Sequence, residues 1–125
     1  MTTEAPDDLD EGETHGGHHG PRPTLSDDAL VERAAALFRA VGDPARLRLL
    51  ERLSHGECCV SELAEESGDG MSTVSQRLKL LRAEHLVVRR RDGKHIYYAL
   101  EDAHVSELIR SALEHVSERR GGDKR

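Results

Sequence analysis

Residues 60–100 read VSELAEESGDGMSTVSQRLKLLRAEHLVVRRRDGKHIYYAL. The first half predicts a short helix over 60–66 and a second helix over 72–84, since apolar side chains recur there at helical spacing. The turn Gly68-Asp69-Gly70 separates the two helices. Two short helices joined by a glycine-bearing turn are typical of a helix-turn-helix.

The second half of this stretch predicts a β-hairpin. Asp92-Gly93 lies between two strand-like runs, 86–91 and 94–100, and Asp-Gly in that position is a strong hairpin signal. The hairpin is basic and follows the helix-turn-helix directly, as a wing does. Together these elements predict a winged helix-turn-helix.

Three more helices are predicted on either side of this unit, over 26–40, 44–54 and 103–119. Asp43 and Asp102 are suitable N-caps for the second and third of them. The resulting order, α-α-α-α-β-β-α, makes the chain mainly α with a small β-hairpin. Such a short helical chain leaves no room for an enclosed active-site pocket, so we do not expect an enzyme.

The beginning of the chain differs in composition from the rest. Residues 1–30 carry eight acidic side chains and one basic side chain, with few apolar residues. Segment 1–24 therefore buries too little apolar surface to offset its ordering entropy, and we expect a disordered, acidic, histidine-containing arm. The folded domain is predicted at 25–119, followed by a disordered tail at 120–125.

Charge is also distributed unevenly. The whole chain carries −6, which by itself disfavours a nucleic-acid partner, but the first thirty residues contribute −7 and leave about +1 for residues 31–125. Within 71–98, seven basic side chains outnumber two acidic ones. A basic patch on a nearly neutral body suits double-stranded DNA, because neutralised phosphates supply most of the affinity.

The sequence contains neither a recognisable signal peptide nor an apolar run long enough to span a membrane, so we expect a cytoplasmic protein. Cys58 and Cys59 are adjacent and are therefore poor partners for a structural disulfide. In a reducing compartment they are expected to be thiols or metal ligands.

Four candidate metal ligands lie along one side of the last predicted helix, namely Asp102, His104, His115 and Glu118. His104 and His115 are eleven residues apart, which returns nearly to the same helix face, and Glu118 lies three residues further on. One chain cannot close this set on one ion, because eleven residues rise about 16 Å while zinc–ligand bonds are about 2 Å. An ordinary solvated helix face is the alternative.

Two antiparallel copies of this helix would bring Asp102 and His104 of one chain to His115 and Glu118 of the other. A two-fold axis then gives two equivalent sites per homodimer. Two imidazoles and two carboxylates in a closed four-coordinate set suit Zn²⁺, and Co²⁺ and Ni²⁺ are compatible with the same ligands.

From about Leu30 to Glu118 the chain resembles the ArsR/SmtB family of metal-sensing winged-helix repressors. Four segments carry the resemblance: AVGDPARLRLL (40–50), ECCVSELA (57–64), STVSQRLKLL (72–81) and GKHIYY (93–98). It implies a homodimer that binds an imperfect inverted repeat in DNA and leaves it when metal binds. Within the family, the pattern D-x-H-x10-H-x2-E/H on the last helix marks the zinc-type site, and the four ligands above match it without a gap.

The helix-turn-helix and its wing also predict the DNA contacts. The start of the second helix of the helix-turn-helix enters the major groove, and the wing contacts the backbone or minor groove. The predicted contacts are Ser72, Thr73, Ser75, Gln76, Arg77, Lys79, Arg89, Arg90, Arg91 and Lys94. For the helix the alternative is a solvated face, and for the wing it is protection of an edge strand by charge.

Two further roles follow from the family. A metal-bound histidine donates its other ring N–H to a carbonyl near the end of the DNA-reading helix, which by position would join His115 to His85. A second metal site uses Cys-x-Cys, of which only Cys59 is present, because Ser61 replaces the second cysteine. An accessory site that combines Cys59 with His15, His18 and His19 of the arm is a second hypothesis, and a vestigial site is its alternative.

Other functions remain open at this point. The first is a winged-helix repressor that senses Co²⁺, Ni²⁺, Cd²⁺ or a thiol-reactive signal through Cys58 and Cys59. A metal-dependent hydrolase is disfavoured, because it needs an open coordination position and a pocket. A zinc-storage or structural protein would be excluded by specific binding to an operator.

Overall fold

The structure is a computed structural model that describes residues 20–123. Helix α1 comprises Asp28–Val41 and helix α2 comprises Pro44–Leu53. Each begins after an aspartate whose carboxylate accepts a backbone N–H three residues further on, at 2.8 Å for Asp27 and 3.0 Å for Asp43. This capping satisfies a backbone donor that has no partner within the helix, and it moves the start of α1 two residues beyond the predicted Ser26.

The helix-turn-helix consists of α3 (Val60–Ser67) and α4 (Met71–Ala83). Gly68 ends α3 with a φ of +79°, in the left-handed region that glycine adopts without steric cost. The predicted pair of helices and the turn between them are therefore confirmed.

The wing is the hairpin of β2 (Val87–Asp92) and β3 (His95–Leu100), also as predicted. A third strand, β1 (Cys58–Cys59), pairs antiparallel with β3 and gives the sheet order β1-β3-β2. The sequence analysis did not predict β1. A two-residue strand shows no periodicity of its own, and it exists only because β3 pairs with it.

The last helix, α5, comprises Ala103–Asp123. The sequence analysis placed its end near Arg119, so residues 120–123 are helical rather than part of the predicted disordered tail. Two glycines near a helix end cost only about 1 kcal/mol each relative to alanine, and Arg120 in the last turn is favourable beside the negative end of the helix dipole. Most of the predicted arm, including its histidines, and residues 124–125 lie outside the described residues.

The core lies where α2, α3, α4, the sheet and α5 meet. Its most deeply buried side chains are Leu50, Leu63, Leu78, Leu81, Leu86, Ile109, Val74, Val87 and Cys58. No charged side chain is buried among residues 20–120. Because the helix-turn-helix, the wing and α5 share one apolar core, their relative orientation is fixed by packing.

Candidate DNA-binding surface and metal site

Helix α4 turns an apolar face to the core and a polar face to solvent. Val74, Leu78 and Leu81 are buried on the inner face. The exposed predicted DNA contacts on this helix are Ser72, Thr73, Ser75, Gln76 and Lys79. Hydroxyls and ammonium groups suit phosphates, whereas an amide can read an adenine edge, so this face has the chemistry that DNA recognition requires.

Arg77 differs from its neighbours on α4 because it is half-buried and paired. Its Nη1 atom lies 2.6 Å from Oδ2 of Asp69, in the turn between α3 and α4. The sequence analysis identified Arg77 but missed Asp69. An acidic residue eight positions before an arginine is uninformative until the turn brings the two together.

The wing carries a row of basic side chains. Only Val87 of β2 is buried, and Arg89, Arg91 and Lys94 are exposed. Arg89 and Arg91 share one face of β2, because successive strand residues alternate between faces. The structure thus places both arginines where they can approach a DNA backbone.

Arg90 points to the other face and is held there. Its guanidinium donates two hydrogen bonds to the Glu57 carboxylate, both 2.7 Å long, and lies 4.6 Å from the centre of the Tyr97 ring. The hydrogen bonds from Arg90 lower the pKa of Glu57, and they raise the pKa of Arg90. Among the contacts that residues 20–120 make, Arg90 is the predicted wing residue that is engaged within the protein.

Asp102 and His104 lie together at the start of α5. Asp102 directly precedes the helix, and its Oδ1 accepts the Val105 backbone N–H at 3.2 Å. His104 is in the first turn, with Nδ1 3.7 Å from the same Oδ1 and a side chain that is 92% exposed. Two of the four predicted ligands are thus adjacent and accessible.

His115 and Glu118 are exposed on the same helix, about three turns further along. Within one protomer the structure does not bring them to Asp102 and His104. The distance between the two pairs is the one expected from eleven residues of helix. A site with all four ligands therefore stays a prediction that needs two protomers.

A groove of about 850 Å³ runs between α1, the end of α4 and the start of α5. Its lining includes Asp102, His104 and His85. His85 has a φ of +58°, because the chain reverses there at the end of α4 and the Leu86 N–H bonds back to the Leu81 carbonyl at 3.0 Å. His115 does not line this groove in a single protomer, so its hydrogen bond to His85 stays a prediction.

The two cysteines have opposite environments. Cys58 is buried, and burial together with a hydrogen bond to Glu62 raises the pKa of its thiol to about 11. Cys59 is partly exposed, and the Ser61 hydroxyl, 3.3 Å from its sulfur, lowers the pKa of that thiol. The more acidic and accessible thiol is therefore Cys59.

Cys58 also belongs to a cluster that the sequence analysis missed. Among residues that the structure describes, its sulfur and carboxylate oxygens of Glu62 and Glu66 all lie within 4.8 Å of one another. Glu66 already binds Arg52 at 2.8 Å, and Glu62 accepts the Cys58 thiol at 3.5 Å. Glu62 and Glu66 are four residues apart on one face of α3, and this spacing was the available signal for the two carboxylates. Cys58 lies in β1 before the helix, so helical spacing does not predict its approach to them. These potential metal ligands are already paired within the protein, and the ion pair between Arg52 and Glu66 connects α2 to α3.

Comparison with known proteins identifies the family. A family model described as bacterial regulatory protein, arsR family, matches residues 43–88. The transcriptional repressor SmtB homolog of Synechocystis sp. is 41% identical over 88 residues, which cover 70% of this chain and 67% of that protein. The chain belongs to the ArsR family. This ArsR-family protein is a DNA-binding transcriptional regulator and not an enzyme.

Two further proteins support this assignment. The HTH-type transcriptional regulator NmtR of Mycobacterium tuberculosis is 39% identical over 103 residues, covering 81% of this chain and 85% of that one. The homodimeric winged helix-turn-helix DNA-binding domain of a possible ArsR-family regulator from Mycobacterium bovis superimposes with a TM-score of 0.67 at 29% identity, covering 78% and 91% of the two chains. Among residues 20–123 there is no helix long and apolar enough to cross a membrane.

Proposed function

We propose that this ArsR-family protein is a zinc-responsive repressor. It binds an inverted-repeat operator as a homodimer and is released when Zn²⁺ binds two sites at the dimer interface. Each site combines Asp102 and His104 of one protomer with His115 and Glu118 of the other. The observation that carries the proposal is that these two pairs of ligands lie exposed, about three turns apart on a single helix.

Apolar side chains on the outer surface support the homodimer. On α1, Leu30, Val31 and Phe38 are each more than half exposed, and Val116 on α5 is 59% exposed. Exposed apolar side chains on terminal helices favour a protein–protein interface. The homodimeric state of the related Mycobacterium bovis domain agrees with this use of the surface.

The ligand chemistry supports zinc as the effector. Two imidazoles and two carboxylates can satisfy a closed four-coordinate Zn²⁺ site, and the same donors accept Co²⁺ and Ni²⁺. His104 and His115 are exposed, so neither imidazole must be withdrawn from the core to bind a metal. Asp102 can bind a metal and still cap α5, because the cap uses only one oxygen of its carboxylate.

Release of DNA follows if zinc favours a dimer shape in which the two α4 helices no longer match their half-sites. Asp102 and His104 line the same groove as the end of α4, so a metal bound by them would lie near the end of the DNA-reading helix. Zinc and DNA must then weaken each other's binding by the same factor.

The proposal is tested by measuring affinity for a duplex selected by this protein from a randomised library, with and without Zn²⁺. Zinc should weaken wild-type binding by about tenfold or more. His104→Gln and His115→Gln should bind the duplex normally but lose the response. His55→Gln is the control, because His55 is an exposed histidine outside the site. Release of both site variants by zinc at the wild-type concentration would rule out this site as the sensor.

A thiol-reactive repressor is the second candidate, and the environment of Cys59 favours it. Its thiol is partly exposed and more acidic than an ordinary cysteine. Cys59→Ser distinguishes the two functions. Loss of an oxidant response with zinc-induced release intact would establish thiol sensing as a separate activity.

A further inference from the structure

The ion pair between Asp69 and Arg77 spans the first two turns of the DNA-reading helix. The carboxylate lies in the turn just before α4, and the arginine reaches back to it from the second turn. We infer that Asp69 is a positioning residue that restricts Arg77 to reading bases and thereby sets the sequence discrimination of α4. This inference rests on the proposed DNA-binding function.

The turn holds the Asp69 carboxylate in place. Gly68 adopts a left-handed conformation, and the Asp69 backbone N–H donates to the Ser67 hydroxyl at 3.3 Å. Arg77 is fixed in turn, because its side chain is only 25% exposed and its Nη1 lies 2.6 Å from the carboxylate. A guanidinium has five N–H donors, and the hydrogen bond to Asp69 uses Nη1, so donors remain for a guanine edge.

The carboxylate also changes the electrostatics of α4. Asp69 is 43% exposed and places a negative charge beside Arg77, so the pair has little net attraction for phosphates. Lys79 on the same helix is exposed and, among residues 20–120, has no ion-pair partner. Lys79 can therefore attract the backbone of any DNA sequence. Arg77 contributes most to binding when a base edge accepts hydrogen bonds from its remaining N–H groups. Discrimination that combines attraction to the right site with repulsion elsewhere is stronger than attraction alone.

The experiment measures binding to two duplexes of roughly 30 base pairs, long enough for two half-sites one helical turn apart. One is the sequence that the wild type enriches from a randomised library, and the other is a shuffled sequence of the same composition. The measured quantities are the affinity ratio of the two duplexes and the dependence of each affinity on salt. Wild-type preference for the selected duplex tests sequence-specific DNA binding, on which the inference rests, independently of Asp69.

Asp69→Asn should lower the affinity ratio by about tenfold, mainly by strengthening binding to the shuffled duplex. For the shuffled duplex, the slope of log affinity against log salt concentration should also become steeper by about two units per dimer, one for each released arginine. Asp69→Glu keeps the charge and should retain most of the ratio. In an Arg77→Ala background, Asp69→Asn should leave the ratio nearly unchanged, because Asp69 acts through Arg77.

Glu66→Gln is the matched control. Glu66 is also 43% exposed and also pairs with an arginine, Arg52, at 2.8 Å. Glu66 lies on α3, however, and not at the start of α4. The Glu66→Gln substitution removes the same charge as Asp69→Asn and should change the affinity for both duplexes equally. An unchanged ratio in Asp69→Asn, or an equal fall in the Arg77→Ala background, would overturn the inference. Circular dichroism and size measurements confirm that each variant compared is a folded dimer.

Discussion

Arg90 and Glu57, 33 residues apart in sequence, are joined by two hydrogen bonds of 2.7 Å. The Tyr97 ring lies beneath the guanidinium, so that one arginine connects both strands of the wing to the segment before β1. Arg89 and Arg91, on the opposite face of β2, are exposed. Neighbouring arginines on one strand therefore have different roles, one within the protein and two toward solvent.

The first prediction concerns the salt dependence of DNA binding by wing variants. Arg91→Ala should reduce the slope of log affinity against log salt by about two units per dimer, because each protomer loses one phosphate contact. Arg90→Ala should change the slope much less, since Glu57 already neutralises its charge. Fluorescence anisotropy at several salt concentrations measures both slopes. A larger change for Arg90→Ala would show that the ion pair opens on DNA.

The second prediction concerns acid stability. Arg90 lowers the pKa of Glu57, so the pair stabilises the folded protein above the ordinary glutamate pKa of 4.5, and this contribution is lost as the pH falls through the lower folded value. The difference in free energy of unfolding between wild type and Glu57→Gln should therefore be small at neutral pH, because both side chains are exposed, and should vanish in acid. Urea unfolding at several pH values measures it. A difference of the same size at every pH, or one that persists in an Arg90→Ala background, would contradict this role.

The third prediction separates packing from surface on α4. Leu78 is fully buried and Leu80 is 44% exposed, two residues apart on the same helix. Leu78→Ala should lower the free energy of unfolding by about 2–5 kcal/mol, whereas Leu80→Ala should cost less than about 1 kcal/mol. Urea unfolding at equal protein concentration compares the two variants. Similar losses would mean that Leu80 is covered in the dimer or that the core is packed differently.

The fourth prediction distinguishes the two thiols. Iodoacetamide should modify Cys59 first at neutral pH, because its thiol is partly exposed and its pKa is lowered. Cys58 should react only after unfolding or as the pH approaches 11. Peptide mass spectrometry of partially alkylated protein gives both rates. Equal rates in the folded protein would contradict the buried placement of Cys58.

Sequence reasoning succeeded where the signal was local. Aspartate caps, the Gly68 turn and the Asp92-Gly93 hairpin each depend on a few adjacent residues, so the winged helix-turn-helix could be predicted from them. The distance between His104 and His115 along α5 also follows from helix geometry, whereas the site shared between protomers stays a prediction.

The rest depended on tertiary contacts. Strand β1 exists because Cys58 and Cys59 pair with Tyr98 and Tyr97, and no pattern within two residues reveals that pairing. The protein partners of the arginines that are predicted to contact DNA could not be predicted either. Asp69 is eight residues from Arg77, and only the folded chain shows that they meet. The sequence therefore identified the basic residues of the surface, and the structure showed which of them are held.

The most direct test of the central claim is zinc binding by mixed dimers. One variant carries Asp102→Ala and His104→Ala, the other carries His115→Ala and Glu118→Ala, and each alone should bind no zinc at the interface. A mixed dimer contains one complete site, because the intact pair of each protomer meets the intact pair of the other. Mixing the two inactive variants, after exchange of protomers, should restore one zinc per mixed dimer together with partial release of DNA. Zinc binding that stays absent in verified mixed dimers, or that is already present in either variant alone, would contradict a metal site shared between protomers.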